Sequence, residues 1–147
     1  MWRESGFSLL ELIAVLGLTA VLFGIALFGH GAARSRISVA KAVQQVSMDL
    51  SLARIRAITR SRDQRLLFAA GAESYQQQER SETGYENAGP AQALPAGVRI
   101  ANCSAPNDAI GFHARGGASS FGTITLRGAT GETRSIIVSI TGRARTE

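Results

Sequence analysis

The chain has 147 residues, 45% of them hydrophobic, and a formal net charge of +5 carried by 15 arginines and Lys41 against 11 acids. That length leaves room for one small folded domain beside an apolar segment, and the basic balance favours polyanions such as nucleic acid or anionic lipid headgroups. A single cysteine, Cys103, excludes an intramolecular disulfide and reads as a small, partly buried residue.

The first element is the run 7–28, in which only Ser8, Glu11 and Thr19 are clearly polar. As a helix at ~1.5 Å per residue it would extend ~33 Å, enough for a bilayer core of ~30 Å. A carboxylate inside such a segment costs at least ~2–3 kcal/mol, so Glu11 needs a function and a partner. The run is longer than the ~7–15 residues of an ordinary signal peptide, and an acid interrupts it. A cleaved signal, a plain transmembrane anchor and a segment with a working acid are the readings open at this point. Arg34, Arg36 and Lys41 follow the run and only Arg3 precedes it, so charge counting alone would keep the C-terminal side in the cytoplasm.

Beyond Gly29-His30-Gly31, a second helical segment is expected over about 32–61. Val39, Val43, Val46, Leu50, Ala53 and Ala57 recur at steps of four and three, which draws one apolar stripe along a helix. The expectation is one long helix, membrane-like in its first half and amphipathic in its second. From Arg65 the period changes to two. Residues 65–70 read as a first strand with 74–78 as its partner, and 79–93 reads as a surface loop. Strands follow at 98–101, 109–113, 123–127 and 134–140, with Ile124, Leu126, Ile136, Val138 and Ile140 facing inward and a tight connection at 128–131. A helix with one apolar stripe beside a sheet with one apolar face predicts an α+β domain in which the two pack together.

The stretch Gly6-Phe7-Ser8-Leu9-Leu10-Glu11 resembles the processing site of type IV prepilins, a family of pilins, minor pilins and the pseudopilins of type II secretion. The resemblance implies a cut by a membrane prepilin peptidase between Gly6 and Phe7, N-methylation of Phe7, and Glu11 as the acid that pairs with a subunit's new N-terminal ammonium during assembly. Such a pair offsets the burial cost of both charges. The chain departs from many pilins in having no proline in the first half of the helix and no C-terminal cysteine pair. Leu94-Pro95-Ala96-Gly97-Val98, Phe112 before a Gly-rich turn, Gly122-Thr123-Ile124-Thr125-Leu126 and Val138-Ser139-Ile140-Thr141-Gly142-Arg143-Ala144-Arg145 are similar to the GspH/FimT branch of minor pseudopilins and minor pilins. The implied layout is a leader at 1–6, a transmembrane and fibre-core helix at 7–28, its amphipathic continuation at 29–61, and a periplasmic, mostly antiparallel β-sheet domain at 62–147. The implied location is the bacterial inner membrane with the C-terminal domain in the periplasm, opposite to the charge count. The implied partners are other pilin or pseudopilin subunits.

No catalytic, cofactor or metal constellation is legible. His30 and His113 lie far apart, Cys103 has no nearby His or Cys, and the glycines lack phosphate-loop spacing. The one feature that suggests a ligand is Gly142-Arg143-Ala144-Arg145. Arginines two apart lie on one side of an extended strand, where their guanidinium groups can reach successive phosphates. In FimT-like pilins a motif of this form is linked to DNA capture, which would make Arg143 and Arg145 DNA contacts. The plainer reading is a turn at Gly142 and two charges that solvate an edge strand.

Overall fold

The computed structural model describes residues 8–28 and 30–147. The chain divides into two units that part between Arg34 and Ser35. In the first, α1 (Leu9–Phe28) starts where the Ser8 carbonyl accepts the Glu11 and Leu12 amides, and Glu11 stands in its first turn. An acid there complements the positive end of the helix dipole. Gly6 and Phe7 lie outside the described residues, as does residue 29, where the single long helix was expected to continue. Among the described residues no helix is long and apolar enough to cross a membrane.

The second unit holds most of α2 (His30–Arg60) and ten strands. Val39, Val43, Val46, Leu50, Ala53 and Ala57 are all buried, joined by Ala42, so the stripe read from the sequence is the face α2 turns to the core. That face meets two antiparallel sheets. The first is built on β1 (Gln64–Leu67), β2 (Ser74–Ser81), β3 (Gly84–Asn87), β6 (Ala109–Phe112) and β7 (Ala118–Ser120), in the order β3-β2-β1-β6-β7, with β4 (Gln92–Ala93) also paired to β2. The second runs β10-β9-β8-β5, from β5 (Arg99–Cys103), β8 (Gly122–Arg127), β9 (Thr133–Val138) and β10 (Ala144–Thr146).

Core residues alternate along β1, β8 and β9 as a one-sided sheet requires, whereas β6 is buried at every position. Leu66 and Phe68 come from the β1 region, Ile124 and Leu126 from β8, and Ile136 and Val138 from β9. Phe68 stacks at 5.3 Å on Tyr75, whose buried hydroxyl donates to Asp49 and receives the Gln45 amide. Burial pushes the Tyr75 hydroxyl well above its ordinary range, with the Asp49 contact adding to the shift. The hydroxyl is therefore a neutral donor that ties α2 to β2.

Three expectations need correction. Residues 79–93 are not a plain loop: β2 runs on to Ser81 and turns back into β3, with Gln78 opposite Asn87. Those strands carry no apolar alternation because their side chains pair with one another, as in the Gln78–Asn87 amide contact at 3.0 Å and Arg65 over the Tyr85 ring at 3.8 Å. Ile140 was expected to face inward and is 66% exposed. β9 ends at Val138, and the turn closed by Gly142 N–H on the Ser139 carbonyl carries Ile140 away from the core. Finally, the expected single sheet is two.

Candidate functional site

The Gly142-Arg143-Ala144-Arg145 segment lies where the last strand meets α2. Gly142 is buried with φ +75°, and a Cβ there would stand 3.0 Å from the Gly116 carbonyl oxygen and 3.4 Å from Arg54 Nε and Phe112 Cε1. Both the backbone conformation and the space demand glycine. Arg54, half-buried on α2, donates through Nε to the Gly116 carbonyl at 2.8 Å and through Nη1 to the Gly142 carbonyl at 3.4 Å. One helix side chain thereby holds two turns, and Ile58 packs over Gly116 beside it. Nothing in the sequence spacing pointed to Arg54, because its partners are backbone carbonyls 62 and 88 residues away.

From Gly142 the chain enters β10, antiparallel to β9, with Ala144 opposite Val138 and Arg145 opposite Ile137. Arg143 and Arg145 are both exposed. Ile137 lies between the buried Ile136 and Val138, so Arg145 stands on the face of the sheet turned away from the core. Arg99 and Arg127, opposite one another on β5 and β8, share that face because their neighbours Ile100 and Leu126 are buried. The ion pairs among the described residues lie elsewhere: Arg60 and Arg62 with Glu79, and Arg80 with Asp63, whose carboxylate also stands 3.5 Å from His113 Nδ1. The Gln64 side chain, followed by Arg60, holds the Glu79 carboxyl below the usual carboxylate range, while burial pushes the Cys103 thiol up and away from reactivity. Among the described residues no group of three or more His, Cys, Asp and Glu could hold a metal ion.

At the N-terminal end, Glu11 is exposed among exposed Leu10, Leu12 and Ile13. Its proposed relation to Phe7 falls outside the described residues.

A long N-terminal helix whose stripe packs on antiparallel sheets is the architecture of the type IV pilin-like proteins. The minor pseudopilin EpsH from the type 2 secretion system of Vibrio cholerae matches with a TM-score of 0.61 at 12% identity, over 75% of this chain and 96% of that one. The type IV minor pilin FimU of Pseudomonas aeruginosa matches with a TM-score of 0.57 at 17% identity, over 76% and 90%. No curated protein sequence is significantly similar. The model of the family described as type II transport protein GspH matches residues 42–142.

The chain therefore belongs to the GspH family of type II transport proteins. The matched region takes in the α2 stripe from Val43 onward and Gly142, and stops before Arg143 and Arg145.

Proposed function

We propose that this protein is a minor pseudopilin: a structural subunit inserted in the inner membrane, processed there, and moved into the periplasmic fibre of a type II secretion system. The observation that carries the reading is the family match over 42–142, which covers the helix stripe from Val43 to Ala57 and every strand from β1 to β9. Membrane anchorage and processing are supported by the sequence, through the apolar run 7–28 and the prepilin-like Gly6-Phe7 junction, and by the exposed leucines and isoleucines of α1. In this mechanism the layout is a leader at 1–6, the membrane and fibre-core helix at 7–28, its amphipathic continuation at 29–61 and the periplasmic domain at 62–147. Peptidase cleavage exposes the Phe7 ammonium, and Glu11 pairs with it or with the terminus of a neighbouring subunit. The apolar helix then leaves the bilayer for an equally apolar fibre core, so that neither state exposes it to water.

A deletion strain tested in parallel for protein secretion, twitching and transformation separates the machines. The expected result is loss or reduction of secretion with twitching and transformation intact. Intact secretion with lost twitching would instead assign the chain to a type IV pilus.

A second reading is favoured by one observation: Arg143 and Arg145 are exposed at the sheet edge, and the ion pairs of the described residues do not include them. This reading is a minor pilin that binds DNA for uptake. Duplex DNA titrated against the full chain in detergent micelles should then bind with steep salt dependence. Arg143→Ala with Arg145→Ala should lower the salt slope by up to ~2. Binding indifferent to both changes removes this reading and leaves the structural one.

A further inference from the structure

The free edge of β10 meets a groove on α2, and the two together have the features of a strand-binding site. Glu147 and Ser135 exchange backbone hydrogen bonds at 2.9 and 3.1 Å, and Ser139 N–H donates to the Arg143 carbonyl at 3.0 Å. In an antiparallel ladder this phase turns the backbone groups of 143, 145 and 147 towards β9 and those of Ala144 and Thr146 outward. No backbone bond within the described residues takes up the Ala144 or Thr146 groups. The opposite edge of the same sheet is covered at its middle, since the Ile100 carbonyl accepts from Gly71 at 2.8 Å and Ile100 N–H donates to Ala72 at 2.9 Å. The β10 edge has no such cover among the described residues.

The open edge gives onto a groove of about 450 Å³ between β10 and α2, floored by Ile55, Ile58 and Ala144 and rimmed by Arg54 and Arg143. Ile55 is 56% exposed and Ile58 48%, so these α2 residues lie outside the stripe that the core uses. Among the described residues no carboxylate lines the groove. Arg54 spends Nε and Nη1 on the two turn carbonyls, which leaves Nη2 for a ligand.

We propose that this edge and groove take an extended segment of a partner protein, alternating apolar with acidic residues, as a fifth strand of the four-stranded sheet. The outward groups of Ala144 and Thr146 supply the ladder, Ile55 and Ile58 receive the apolar side chains, and Arg54 with Arg143 receive a carboxylate at the Gly142 end. This is peptide recognition by strand addition, with backbone bonds giving affinity and alternate side chains giving selectivity. A second copy of this chain is a poor occupant. Two-fold pairing of β10 with β10 centred on Ala144 would set Arg143 of one copy against Arg145 of the other, and pairing centred on Arg145 would oppose the two Arg145 side chains; like charges opposed across strands are unfavourable. The proposal stands independently of which machine the fibre belongs to.

The test uses the full chain in detergent micelles and capped hexapeptides that alternate valine with aspartate, or valine with lysine. Amide exchange at Ala144 and Thr146 and methyl shifts at Ile55 and Ile58 are the readouts. The acidic peptide should slow exchange at both amides by about tenfold or more and shift both methyls, with salt weakening the effect. Thr146→Pro removes one outward N–H without touching the bonds to β9, and Ile55→Asp reverses the groove's character at an exposed position. Each should weaken peptide binding by about tenfold while the Ile136 methyl, deep in the core, reports an intact fold. Equal protection by the lysine peptide overturns the proposal, as does absence of protection by either peptide. Protection that grows with protein concentration without peptide also overturns it, in favour of a second copy as occupant.

Discussion

Helices α1 and α2 draw on the same aliphatic residues and dispose of them differently. In α1, residues such as Leu9, Leu12, Leu16, Val21 and Phe23 are exposed on every side, and none of the described residues from Leu9 to Ile25 belongs to the core. In α2 one stripe, from Val39 to Ala57, is buried against two sheets, and Ile37, Met48, Ile55 and Ile58 remain outside it. The contrast separates apolar surface that the domain's own fold consumes from apolar surface left for other molecules. A helix that is apolar all round needs a lipid or protein environment, whereas an amphipathic one is satisfied by its own domain.

The sharpest way to break that contrast is to truncate a leucine on each helix. Leu50→Ala should destabilise the domain by about 2–5 kcal/mol, because it opens a cavity in the packed core. Leu16→Ala should leave chemical unfolding of the domain within about 0.5 kcal/mol of the parent. Equal losses would mean that α1 contributes to the folded core. Next in size is Gly142→Ala, which sets a Cβ 3.0 Å from the Gly116 carbonyl at positive φ and should cost about 1–3 kcal/mol.

A smaller effect depends on pH. The folded-state value of Glu79 is lowered, so its contribution is present above the ordinary carboxylate value and is lost as pH falls through the lower, folded one. Glu79→Gln should lower the melting midpoint near neutrality, where that contribution is present, and converge with the parent at the acid end of the window, as followed by thermal melts across pH. Smallest is Ile140→Ser: the side chain is exposed in the turn after β9, so its melting midpoint should match the parent's, whereas Ile136→Ser within β9 should unfold readily.

How much could be read in advance follows from which interactions leave a pattern. The α2 stripe and the inward residues Ile124, Leu126, Ile136 and Val138 were legible because burial of a face imposes a period of 3.6 or 2. The β2–β3 hairpin was not, since polar side chains that pair with each other in solvent impose no such period. Ile140 carried the right alternation but lay one turn too far, and only the Ser139–Gly142 hydrogen bond shows where the strand stops. At the candidate site, the arginine pair stood out in the sequence. The demand for glycine at 142 and the clamp from Arg54 are tertiary facts, set by carbonyls brought together from distant turns.

Processing at the N-terminus is what turns the apolar segment into a fibre subunit, and intact-mass and N-terminal analysis of the chain purified from membranes tests it directly. The predicted chain begins at an N-methylated Phe7, and Gly6→Val converts it to the uncut form and stops its incorporation into fibres. A chain that begins at Met1 in the parent protein, or a Gly6→Val variant with the parent's mass and full activity, would contradict it.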